Sequence, residues 1–87
     1  MLELDFRPRG VCSRNIHVEL NEEDNTIHHV EFLGGCDGNL KAISKLIEGM
    51  TPEDICSILR GNTCGRKTTS CADQLCLALD ELVSMRG

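Results

Sequence analysis

Hydrophobic and polar positions alternate strictly at the start of the chain. Leu2, Leu4 and Phe6 are separated by Glu3 and Asp5, the period of a half-buried strand. Arg7-Pro8-Arg9-Gly10 breaks that run, and Cys12 follows in a Gly-Val-Cys-Ser turn. Ile16, Val18 and Leu20 then alternate with Asn15, His17 and Glu19 as a second strand. Asn21 to Asn25 is an acidic loop of hairpin length, and a third strand is predicted from about Thr26 to Leu33, with Val30 and Phe32 facing the core. Such a sheet is antiparallel and can leave one face wet.

After Gly34-Gly35-Cys36-Asp37-Gly38 the period changes to that of a helix. Leu40, Ile43, Leu46 and Ile47 line one side of a first helix that stops at Gly49, a natural residue for the turn after a helix. Thr51-Pro52-Glu53-Asp54 starts a second, with a capping threonine, proline at the first helical position and acids in the first turn. Ile55, Ile58 and Leu59 are its expected buried residues, and Gly61 its end. Ser70, with Asp73 three residues on, caps a third helix whose Leu75, Leu79 and Leu82 form an apolar stripe running to about Met85. The expected architecture is α+β: a three-stranded antiparallel sheet followed by three helices packed on one face, in a single domain spanning residues 1–87.

Composition narrows the function. Phe6 and Phe32 are the only aromatics, so the core is aliphatic, and the net charge of −5 argues against general nucleic-acid binding, which needs a basic face. No run of about 18 apolar residues marks a membrane span. The first ten residues carry Glu3, Asp5, Arg7 and Arg9 in place of an apolar signal region, and a cytoplasmic location is the expectation. Six cysteines then need explaining, because cytosolic chains rarely use structural disulfides.

Position sorts those cysteines into two groups. Cys56 and Cys76 fall inside helices among aliphatic residues and read as small buried hydrophobes. Cys12, Cys36, Cys64 and Cys71 sit in turns at the ends of elements. Cys36 and Cys71 adjoin helix N-termini, where free N–H groups and the helix dipole favour a thiolate, and Arg66 and Lys67 add positive charge. Four thiolates match a closed zinc site or an iron–sulfur cluster. Their spacings of 24, 28 and 7 residues fit no zinc-finger or ferredoxin pattern, so core or redox thiols stand as the competing reading. His17, His28 and His29 read as solvated strand histidines, the adjacent pair pointing to opposite faces. The acidic group Glu19, Glu22, Glu23 and Asp24 reads as a soluble hairpin tip. Gly61 to Thr68 is one residue short of a phosphate loop, has Arg66 in place of the second glycine and follows no strand, which rules out a nucleotide site.

Thr69-Ser70-Cys71-Ala72-Asp73-Gln74 resembles the signature of the TSCPD domain, with Ala72 where that family usually has proline. Arg9-Gly10-Val11-Cys12-Ser13, Gly34-Gly35-Cys36-Asp37-Gly38-Asn39 and Asn62-Thr63-Cys64-Gly65 resemble its small stand-alone branch, whose four hallmark cysteines map onto Cys12, Cys36, Cys64 and Cys71. A weaker similarity links Cys12, Cys36 and Cys71 to the three ligands of U-type iron–sulfur scaffold proteins. These resemblances imply a small metal-binding domain holding zinc or an iron–sulfur cluster, as a scaffold or accessory to a client protein. The alternative they imply is a thiol–disulfide module serving ribonucleotide reductase, with Cys64 and Cys71 as the exchanging pair, since TSCPD domains occur at the C-terminal ends of some such reductases. The stand-alone proteins are often labelled as reductases. Eighty-seven residues have no room for a catalytic barrel, so activity as an enzyme on its own is not expected, nor is a nucleic-acid or membrane partner.

Overall fold

The computed structural model describes residues 1–11, 13–34, 37–63 and 69–85. Three strands, β1 (Leu2–Phe6), β2 (Ser13–Asn21) and β3 (Thr26–Gly34), precede three helices, α1 (Asp37–Ile47), α2 (Pro52–Leu59) and α3 (Cys71–Met85). The sheet is antiparallel in the order β1-β2-β3. Among the described residues no strand follows Gly34. The α+β arrangement is therefore the one its periodicity predicts.

The alternating side chains of β1 and β2 put Ile16, Val18 and Leu20 on one face, all without solvent exposure. Leu75, Leu79 and Leu82 of α3 pack onto them, together with Ile47 of α1 and Ile55 of α2. Burying an aliphatic side chain of this size stabilises the fold by about 1.5–3 kcal/mol. α1 lies along β3, α3 crosses β1 and β2, and α2 rests mainly on α3.

Strand β3 departs from simple alternation. Ile27 and Val30, three residues apart, are both buried, which a period of two forbids. A bulge resolves the conflict: Glu19 pairs with His29 and Leu20 with Ile27, leaving His28 as the extra residue. His28 then approaches Glu19 of the open face (3.9 Å), while His29 lies 3.8 Å from both Glu31 and Glu48, the latter just past the end of α1.

The helix ends follow their local chemistry. Thr51 caps α2, its Oγ1 accepting from the Asp54 N–H, and Pro52 follows at the first turn. Gly49 has φ of +85°, a conformation that suits glycine. It donates its N–H to the Ile27 carbonyl while Ile27 donates to Met50, which ties the α1–α2 turn to the start of β3. Two expected core residues do not reach the core. Leu46 is 76% exposed and Ile58 68% exposed, because α1 and α2 use narrower buried faces than their apolar content allows.

Candidate functional site around Cys71

The N-terminus of α3 is a junction of three chain segments. Ser70 caps the helix, its Oγ accepting from the Asp73 N–H (3.1 Å) and donating to the Asn62 carbonyl (2.6 Å). The Asp73 carboxylate does not reach back to Ser70 as a capping box would. It accepts instead from the Thr69 hydroxyl and the Gly61 N–H. Those two bonds, the hydroxyl first, hold the Asp73 carboxyl below the usual aspartate range. Gly61-Asn62 and Thr69-Ser70, the described segments that border the Cys64 loop, are thus fastened to one helical turn. Gln74 donates to the Thr69 Oγ1 and accepts from the Arg9 N–H, 65 residues away, bringing in the segment that links β1 to β2.

Cys71 occupies the first position of α3 and is nearly buried, 9% exposed. Its Sγ lies 3.1 Å from the Oγ of Ser13, a buried serine at the start of β2. Ser13 pairs in register with Gly34, the last residue of β3. The end of β3, the start of β2, the turn after α2 and the start of α3 therefore meet. Cys12, Cys36 and Cys64, with Arg66 and Lys67, lie outside the described residues. What is described is Cys71 and the borders of the segments that hold the other three.

Cys56 and Cys76 form a separate pair. Cys76 follows Cys71 by five residues, about 7.5 Å along the helix axis. Cys76 is buried and Cys56 half-buried, with Cys56 Sγ 3.9 Å from the Cys76 carbonyl. Burial, then the nearby Cys56 thiol, pushes Cys76 up to about 12. Cys76 is the buried residue its helical position suggested, whereas Cys56 stays half-buried.

A family model described as TSCPD domain matches residues 4–83. The chain belongs to the TSCPD family. No curated protein and no solved structure matches it. In this TSCPD domain the signature residues Ser70, Cys71, Asp73 and Gln74 are those that knot the site together. Ala72, at the second helical position, is buried. No helix among the described residues is long and apolar enough to cross a membrane.

One cluster of polar side chains was missed by reading the strands separately. His17 is half-buried and touches three carboxylates, those of Asp5, Glu19 and Glu3, so it is no ordinary solvated histidine. The signal was available in the hairpin: in antiparallel strands Glu3, Asp5, His17 and Glu19 all project from one face once the register is known.

Proposed function

We propose that this TSCPD domain is a small cysteine-ligated metal-binding domain, in which Cys12, Cys36, Cys64 and Cys71 hold zinc or an iron–sulfur cluster. The reading is carried by one observation: the described residues bordering those four cysteines converge on the first turn of α3. Ser13 follows Cys12 and touches the Cys71 sulfur, Gly34 stands across from Ser13, and Asn62 is bonded to the residue before Cys71. The donor chemistry fits. A thiolate at Cys71 would accept a hydrogen bond from the Ser13 hydroxyl, the kind of outer contact that orients a ligand and tunes the metal. The free N–H groups of the first turn of α3 add positive potential beside it.

A site closed by four protein ligands leaves no coordination position for a substrate, so the role we assign is that of an accessory or scaffold domain, not of a hydrolase. Metal content of the protein purified and reconstituted without oxygen tests the reading. Serine replacing any one of Cys12, Cys36, Cys64 or Cys71 is expected to lower bound zinc or iron, because a neutral hydroxyl does not replace a thiolate at a soft site. Cys56→Ser and Cys76→Ser are expected to leave it unchanged. Wild-type protein that takes up neither metal at these cysteines, yet forms a reversible Cys64–Cys71 disulfide, would instead support the thiol–disulfide role beside ribonucleotide reductase.

A further inference from the structure

The sheet face turned away from the helices has a centre of its own. Register sets Asp5 and Glu31 on either side of His17, and Glu3 and His29 on either side of Glu19. The His17 Nδ1 lies 2.9 Å from Asp5 Oδ1, and Asn15 donates its amide to the same oxygen (3.1 Å). With Nδ1–H donating to Asp5, the imidazole is held in one orientation. Its Nε2 then points at Glu19 Oε2 (3.0 Å) and Glu3 Oε1 (3.6 Å). A bare lone pair at Nε2 would face two anionic oxygens, so the arrangement demands a cation between them.

That cation is either a proton or a metal ion, and distances decide that both fit. One nitrogen and two carboxylate oxygens all lie within 4.8 Å of one another. Ligands about 2.1 Å from a tetrahedral ion stand about 3.4 Å apart; the two separations from His17, 3.0 and 3.6 Å, bracket that value, and the carboxylate oxygens lie within 4.8 Å of each other. A carboxylate on the far ring nitrogen is what metal-ligating histidines ordinarily have. A divalent ion beside a neutral His17 would offset two of the three negative charges of Glu3, Asp5 and Glu19. Glu19 already stands at His17, 24% exposed, and Glu3, 62% exposed, has room to close on an ion.

We propose that Glu3, His17 and Glu19 form a divalent transition-metal site on the open face of the sheet, with Asp5 as the positioning residue for His17. One imidazole and two carboxylates suit zinc-like ions and leave room for water as a further ligand. The site lies on the sheet face opposite the core and does not depend on the thiolate reading. Metal binding displaces the Nε2 proton, so affinity rises with pH. The other groups facing the site are His28, 3.9 Å from Glu19, and Glu31 across from His17, itself near His29.

Zinc ion titrated into the full-length, reduced protein at pH 7.5 tests this, read by the ¹⁵N shift of the His17 Nε2. That signal is site-resolved and ignores zinc taken by cysteines. A saturable shift is expected, lost on lowering the pH to 5.5. Glu3→Gln and Glu19→Gln should each weaken binding tenfold or more, and Asp5→Asn should weaken it about 10–100-fold. His17→Gln should remove one equivalent of zinc while leaving any cysteine-bound equivalent in place, with the circular dichroism spectrum unchanged. An Nε2 signal unmoved by millimolar zinc would overturn the proposal and leave a protonated ion-pair cluster. So would a shift that survives in the Glu3→Gln, Glu19→Gln double variant, or one centred on His28.

Discussion

Ser70→Ala is the sharpest single probe of the junction, because it removes one oxygen that serves two chain segments. Ser70 is 6% exposed, and its Oγ accepts from Asp73 N–H while donating to the Asn62 carbonyl. Loss of a serine N-cap costs about 1 kcal/mol. The bond to Asn62 contributes about 1 kcal/mol more if nothing replaces it. Asn62 is exposed, however, and water can take over its carbonyl, so the net loss is about 1–2 kcal/mol. For a domain of this size each kcal/mol lowers the melting temperature by about 4–8 °C, which gives a fall of roughly 5–15 °C. Thermal unfolding followed by far-ultraviolet circular dichroism measures it. Ser57→Ala is the control: Ser57 is exposed and its described bond stays within its own helix, to the Asp54 carbonyl, so a change within about 0.5 kcal/mol is expected. Ser70→Thr keeps the hydroxyl and should recover most of the loss. A Ser70→Ala protein as stable as wild type would refute the view that this serine ties Asn62 to the start of α3.

Leu79→Ala, at a fully buried position between α3 and the sheet, should destabilise by about 2–5 kcal/mol in denaturant unfolding, and a loss below 1 kcal/mol would contradict the core described here. Hydrogen bonds to Asp5 and then Glu19 raise the His17 value above its usual 6.5. The stability it contributes is therefore complete below about pH 6.5 and is lost as pH rises through the folded-state value, so the gap between wild type and His17→Gln without added metal should narrow across that window. An unchanged gap from pH 6 to 9 would count against it. Alkylation at pH 8 followed by mass spectrometry should modify Cys56 well before Cys76, whose thiol is buried and pushed up to about 12; equal rates would remove the distinction.

Much of this domain was legible in its amino-acid order because the deciding forces are local. Alternation of Leu2, Leu4 and Phe6, the Thr51-Pro52 helix start, Gly49 at φ of +85° and the Ser70 cap each depend on residues a few positions apart. Those signals sufficed for the element order, the α+β class and the choice of Leu75, Leu79 and Leu82 as core. Grouping of the cysteines by turn and helix positions likewise set Cys76, which is buried, and Cys56, which is half-buried, apart from Cys71 at the junction.

Tertiary structure alone decided what depends on register and on neighbours distant in sequence. The bulge at His28 exists because Ile27 and Val30 both gain from burial against helices that strand periodicity cannot see. Leu46 and Ile58 satisfy the helical stripe yet stay in solvent, since burial requires a partner surface and no described element covers them. His17 gathers Glu3, Asp5 and Glu19 only once β1 is paired with β2 in one particular register. Ser13, 58 residues from Cys71, reaches its sulfur only when α3 is laid across the sheet. Local order chose the elements; packing of the sheet against α3 chose which side chains meet.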